Sequence, residues 1–226
     1  MSVLIAHASI DEHGRAKGGQ SGDQTGKEVC IREWYNKPWQ YLIRFRDSTM
    51  ANRVAQCMEA AAKNDKIGYD QNQRNTLLRE ARKYNYDVSK VKVNCETDCS
   101  ALVALACMYA GIPESTLTLS GNSATTRNLR MMLKMTGEVD IYSTPLYTSR
   151  TEKLRRGDIL LKEGNHVVVV VKVDGKMQNL KPLDVVAREV LDGKWGNGQE
   201  RRANLMAAGY NYAMVQAEVN KILRGK

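Results

Sequence analysis

The chain is short of phenylalanine, proline and histidine: it has one, four and three of them among 226 residues. Ten tyrosines and three tryptophans stand beside that one phenylalanine, so the aromatic surface is amphipathic and suited to wet, polar ligands such as sugars. No stretch approaches the ~20 consecutive apolar residues of a membrane span, so membrane insertion is not expected. The opening run MSVLIAHASIDEHG is too short in apolar residues and too soon charged for a secretory signal. The expectation is therefore synthesis in a cytosol, with thiols reduced. The five cysteines (Cys30, Cys57, Cys95, Cys99, Cys107) are odd in number, which argues against a fully paired disulfide framework. No zinc-finger spacing occurs, and no Lys/Arg run is interleaved with aromatics. Nucleic acid is thus not the expected partner, although the net charge of +9 attracts polyanions. Phosphate-bearing wall polymers and plain solubility are the other readings of that charge.

Hydrophobic patterning gives helices first and a small antiparallel sheet afterwards, an α+β order. Residues 1–40 read as Gly-rich, polar loops around a short helix, with WYNKPW as an aromatic edge. Residues 47–64 and 70–85 read as helices, and VKVNCETD as an extended lead-in. CSALVALACMYAGI is an apolar helix ended by Gly111 and Pro113, and TTRNLRMMLKMTG is another that stops at Gly137. GDILL and HVVVVVKV are strands, the second so continuously apolar that both of its faces must be covered. Asp174-Gly175 is a two-residue hairpin turn. Beyond Pro182 the composition changes, and about 45 residues with apolar positions at helical spacing read as three short helices, near the lower limit for an independent core.

The sharpest chemical feature is ETDCSALVALAC. A cysteine placed where a helix begins meets the positive end of the helix dipole and unpaired N–H groups. Both favour thiolate, and the same N–H groups can hold a developing oxyanion. Asp98 falls at the N-cap. Of the three histidines, His7 and His13 lie in the polar N-terminal segment, whereas His166 opens the VVVVV strand. A histidine there suits the base of a Cys–His pair. The opposing reading is an ordinary buried cysteine and a capped strand end. Cys57 and Cys107 read as small core residues. Cys95, Cys99 and His166 lack an evident fourth zinc ligand, so no metal and no cofactor are expected.

The run DCSALV, followed by LRRGDILLKEGNHVVVVV, resembles the NlpC-type and CHAP-type papain-like peptidases of bacterial walls. GGQSGDQTGKEVCIREWYNKPW, IGYDQNQRN and CETDCS resemble catalytic domains of phage endolysins. The resemblance implies Cys99 as nucleophile, His166 as general base, and cleavage of an amide in the peptide stem of peptidoglycan. It also implies a polar residue on the strand after the histidine, to orient the ring. With a two-residue turn at Asp174-Gly175 that residue is Asn179; a one-residue bulge makes it Gln178. Asp98, Ser100, Tyr69, Asp70 and Asp23 are the candidate substrate contacts. Asp23 reads equally well as a turn residue, and the segment around Asp11 lacks the alternating oxygen ligands of a calcium loop.

The tail, VAREVLDGKWGNGQERRANLMAAGYNYAMVQAEVNKIL, resembles the CW-seven wall-binding repeat of phage lysins. That implies a three-helix bundle recognising peptidoglycan through Trp195, Gly196, Asn197, Arg201 and Tyr210. Trp195 reads equally well as a core anchor. One copy of the repeat suggests modest affinity unless chains assemble as a homo-oligomer. The expected organisation is a papain-like catalytic domain over 1–180, with helices packed on a small antiparallel sheet, and a wall-binding module over 183–226. The expected function is that of an endolysin made in the host cytoplasm and released through a holin. It would cut the D-glutamyl–diamino acid bond as an endopeptidase; N-acetylmuramoyl-L-alanine amidase is the alternative. A catalytically inactive wall-binding protein and a nucleic-acid-binding protein are the rivals from other classes.

Overall fold

The computed structural model describes residues 2–173, 181, 183–208, 210 and 212–224. They fall in two compact units, Met1–Gly175 and Lys176–Lys226. The first contains β1 (Val3–Ala8), β2 (Val29–Glu33), β3 (Tyr41–Phe45), α1 (Ser48–Ala61), β4 (Ile67–Tyr69), α2 (Thr76–Ala81), β5 (Cys95–Thr97), α3 (Cys99–Ala110), α4 (Glu114–Leu117), β6 (Thr118–Leu119), β7 (Asn122–Ser123), α5 (Leu129–Met135), β8 (Val139–Tyr142), α6 (Pro145–Thr148), β9 (Ile159–Lys162) and β10 (His166–Val173). Six strands form one antiparallel sheet in the order β2-β1-β10-β9-β3-β8. β4 and β5 make a small parallel pair, and β6 with β7 a short hairpin. The class is α+β, mixed helix and sheet.

The sheet is larger than its sequence suggests, because the N-terminal segment is not the loop-and-helix region expected of it. VLIAHA and VCIRE are strands, and the polar stretch of residues 9–28 is the loop that joins them. A short apolar run reads as strand or buried helix with equal ease. Pairing with β10 decides it here. The segment 70–85 is also less helical than its pattern: α2 covers only Thr76–Ala81, followed by a 3-10 turn at Arg82–Tyr84.

Strand β10 is covered on both faces, as its run of valines demands. Val167, Val169 and Val171 face a core built from α1, α3 and the sheet. Val168, Val170 and Val173 face a second core with Ile5, Trp39, Leu42 and Leu160. Helix α3 is apolar around almost its whole circumference and correspondingly buried. Its start is fixed by Asp98, whose carboxylate accepts the Ala101 amide at 2.7 Å, and its end by Gly111 at φ 117.

The second unit holds α7 (Leu183–Leu191), α8 (Gly198–Ala207) and α9 (Tyr212–Arg224). Val186, Ala187, Val190, Leu205, Tyr210, Val215 and Val219 form its core, with Trp195 packed against them. Asp174-Gly175, Pro182 and both candidates for the ring-orienting residue, Asn179 and Gln178, lie outside the described residues.

Gly157 tests this packing. At φ +85 it presses on the α1 backbone, and a Cβ added to it would stand 2.3 Å from the Ala51 carbonyl oxygen. Gly157→Ala should destabilise the fold by about 3 kcal/mol in chemical denaturation, from backbone strain plus overpacking. A loss below about 0.5 kcal/mol, typical of an uncrowded surface site, would contradict the contact.

Candidate active site

The chemistry-bearing residues gather where two strands part. The β1–β10 ladder runs to Ala6↔Val169, while β10 continues back to His166. The Gln40 amide bonds to the Leu161 carbonyl at 3.0 Å, so Leu161 points its backbone groups at β3. Its partner Val167 therefore points its own N–H away from β9, toward the side of β1. Cys99 Sγ takes that N–H, and the Ser100 amide as well. The sulfur at the start of α3 thus sits where the ladder is open, against the peptide group that joins His166 to Val167.

His166 and His7 occupy the ends of the two parting strands. His7 Nδ1 and His166 Nε2 are 3.0 Å apart, both rings buried. The rings meet edge-on, with centroids 5.2 Å apart. Trp39 stacks on His166 at 6.2 Å and 28°. Tyr35 packs against Trp39 and its carbonyl accepts the Trp39 indole N–H at 3.2 Å. Burial pushes the Cys99 thiol up to about 12. Burial pulls His166 down to about 3 and His7 to about 4, helped by Lys37 and, for His7, Arg32. At neutral pH the site therefore holds a thiol and two neutral imidazoles. This differs from the thiolate expected from helix position alone, because loss of water outweighs the dipole and the two N–H groups.

An open groove of about 290 Å³ reaches Cys99, lined among others by Lys17, Gln71, Asn72, Thr125 and Asn165. Cys99 is 5% exposed and His166 8%. Asp98 and Ser100 lie on the groove as well, but their polar atoms are already used. Arg74 forks onto both Asp98 oxygens and also reaches Ser100 Oγ at 2.9 Å, the Ser123 carbonyl at 2.9 Å and the Ala124 carbonyl at 2.6 Å. Both residues hold the start of α3 in place. Tyr69 is buried, its hydroxyl accepting from Gln71 Nε2 at 3.2 Å, and burial followed by the nearby Cys99 pushes it up. Asp70 is buried and accepts the Asn72 amide at 2.7 Å. Neither Tyr69 nor Asp70 lines the groove. Asp23 ties its own turn: it accepts the amides of Thr25, Gly26, Lys27 and Val29, and it does not line the groove.

Sequence reasoning missed His7, Arg74, Trp39 and Lys17. Only His7 left a trace: in VLIAHA it alternates with Ile5, so reading that run as a strand places both on one face.

In the second unit, Trp195 is half-buried, donating to Glu189 Oε2 at 3.1 Å and meeting Tyr210 edge-on. Gly196 has φ +75, its carbonyl accepts Arg201 Nε at 3.1 Å, and Asn197 Oδ1 accepts Arg201 Nη2 at 3.1 Å. Tyr210 belongs to the core of this unit: it is buried and its hydroxyl accepts the Lys181 amide at 2.7 Å.

Residues 5–178 match the family model described as the endolysin-like domain. The chain belongs to that family. Residues 184–223 match the CW_7 repeat. A protein named lysozyme, from Streptococcus phage Cp-7, is 56% identical over 43 residues, 19% of this chain and 13% of that protein. No solved structure matches the chain.

The endolysin-like domain makes a testable statement about protons. Both folded imidazole values lie below the ordinary 6.5, so the unfolded chain binds more protons on acidification. The stability that these rings contribute is complete above pH 6.5 and is lost as the pH falls toward 3. Glu96, raised by burial to about 7, acts with the opposite sign, its contribution being lost as the pH rises through 7. Total stability mixes the two, so the rings should be watched directly. In an NMR titration neither His7 nor His166 should protonate between about pH 7 and 5; a midpoint near 6 for either would contradict the burial argument.

Proposed function

We propose that this chain is a peptidoglycan hydrolase that cuts an amide of the peptide stem, with Cys99 as nucleophile, His166 as general base and His7 as the residue that positions His166. The observation that carries the reading is the sulfur of Cys99 lodged at the open end of the β1–β10 ladder, beside the His166 peptide and at the end of a groove. Family membership supports a wall hydrolase, and helices packed on an antiparallel sheet fit a papain-like domain.

In the resting site thiol and imidazole are both neutral. His166 Nε2 is engaged by His7, which leaves Nδ1 for the thiol proton. His7 Nδ1 then accepts from His166 Nε2–H and keeps doing so when His166 becomes an imidazolium. The thiolate attacks the amide carbonyl, and the N–H groups at the start of α3 stabilise the oxyanion. The imidazolium protonates the leaving amine, and water later releases the acyl group from the thioester. A site that starts neutral keeps the sulfur as thiol rather than thiolate, which protects it from idle oxidation. The bond assigned is the one between D-glutamate and the diamino acid, since the exposed Lys17 in the groove suits the carboxylate that D-glutamate carries. Cleavage at N-acetylmuramoyl-L-alanine is the alternative, and mass analysis of digested muropeptides distinguishes the two. The second unit anchors the chain to the wall through the turn of Trp195, Gly196, Asn197 and Arg201, as its repeat match supports. In this reading the enzyme reaches the wall through a pore supplied by another protein, such as a holin.

Cys99→Ala should abolish clearing of purified walls, by about 10³-fold or more, without loss of binding; wall clearing at the wild-type rate would end the proposal. His7→Gln should lower kcat by about 10²-fold and displace the acid limb of the pH profile, because a positioning partner of the base is lost. An unchanged profile would reduce His7 to packing. Arg201→Ala should weaken co-sedimentation with purified walls while cleavage of a soluble muropeptide stays unchanged; equal co-sedimentation would remove that turn from wall binding.

A further inference from the structure

The loop of residues 9–28 carries a second polar cluster, made of residues that do not line the groove. Asp11 is 4% exposed. Its Oδ1 accepts the amides of His13 at 2.9 Å and Arg15 at 2.6 Å. Glu12 Oε1 accepts the Gln20 amide at 2.9 Å and faces His13 Nδ1 at 3.2 Å. The second oxygens, Asp11 Oδ2 and Glu12 Oε2, are buried and meet no hydrogen-bond donor among the described residues. One ligand atom each from Asp11, Glu12 and His13 lies within 4.8 Å of the other two. Gly19 closes over them: a Cβ there would stand 2.7 Å from Asp11 Cβ and 2.9 Å from Glu12 Oε2.

Two carboxylates that converge away from water need a positive partner, because each unpaired oxygen has lost its hydration without compensation. Asp11 is so buried, with one oxygen already satisfied, that the other has nothing left to serve but a ligand. A cation meets both demands at once, neutralising the pair and taking the idle lone pairs. Two carboxylate oxygens and an imidazole nitrogen suit an ion of borderline softness such as Mn²⁺ or Zn²⁺ better than Ca²⁺, which takes oxygen ligands. His13 is half-exposed, which leaves room for an ion to enter and for water to complete its shell.

We infer that Asp11, Glu12 and His13 form a divalent-cation site that fixes the loop. The same loop docks through the Ala16 carbonyl, which accepts the Gln71 amide at 3.0 Å. Lys17, next in sequence, and Gln71 both line the groove beside Cys99. The bound ion therefore holds one wall of that groove, whatever chemistry the groove performs.

The test is titration of the full chain with Mn²⁺, followed by the loss of the free-ion EPR signal. One Mn²⁺ per chain is expected, displaced by Zn²⁺, with a rise in melting temperature on binding. Asp11→Asn and Glu12→Gln should abolish uptake. Should either fail to fold, His13→Ala reports instead, since His13 is exposed; it should weaken Mn²⁺ binding by about tenfold or more. Cys99→Ala should bind as the wild type does, which separates this site from the thiol and its imidazoles. No uptake at millimolar Mn²⁺, uptake unchanged in every loop variant, or uptake lost with Cys99→Ala would each overturn the assignment.

Discussion

The first unit depends on one backbone donor that the sheet does not use. The amide of Val167 faces the side of β1 beyond the last β1–β10 pair, and the sulfur of Cys99 takes it. An inner strand can leave a buried N–H open only if something else satisfies it. Helix α3 supplies that partner with its first residue, and so the helix must start there and nowhere else along the strand. Asp98 and Arg74 enforce the start. The carboxylate caps the helix, the guanidinium forks onto the carboxylate, and its remaining donors close on Ser100, Ser123 and Ala124. The sulfur of Cys99 is positioned by a sheet defect on one side and the Asp98–Arg74 ion pair on the other.

Burial of this kind works against ionisation. The helix start and two N–H groups favour thiolate, yet the thiol is held near 12 because water is nearly absent. The imidazoles are depressed for the same reason, with His7 adding to it at His166 and Arg32 at His7. Thiol and imidazole are thereby both kept in their uncharged forms. A pair held neutral in this way needs a ring partner that brings no charge of its own. The His7–His166 contact fits that demand. A neutral acceptor on Nε2 fixes the ring without placing a second charge in the pocket, where an aspartate would have required its own compensation.

How much of this is legible in the residues depends on the range of the signal. The N-cap, the buried helix after it and its glycine stop are local, and DCSALVALAC states them in full. The valine strand states its two covered faces. What could not be read is which strands lie beside it. VLIAHA is six residues long, too short for its period to tell strand from buried helix, and it pairs with β10 more than 150 residues away. Missing that pairing left His7 of β1 unrecognised beside His166, while the ring partners sought further along, Asn179 and Gln178, lie outside the described residues. Arg74 was invisible for a related reason. A surface-looking arginine before α2 becomes half-buried only when two separate segments, 98–100 and 123–124, close on it.

The loop that joins β1 to β2 shows what such a long-range pairing costs. Twenty residues must return the chain from one strand to its neighbour, and they are too polar to make a core of their own. They are held instead by carboxylates: Glu96 accepts the Gly22 amide, Glu28 accepts those of Gln24 and Tyr69, and Asp23 ties its own turn. Burial raises Glu28, and the nearby Asp23 and Glu12 add to it by repulsion. Backbone amides soften that repulsion but do not cancel it, because they carry only partial charge. A chain with a net charge of +9 has cations to spare, yet Arg74, Arg44 and Arg156 are spent elsewhere, on Asp98, Asp158 and Glu59. Negative charge has therefore been concentrated where the loop must be shaped, and at Asp11 and Glu12 it exceeds what amide donors alone can satisfy.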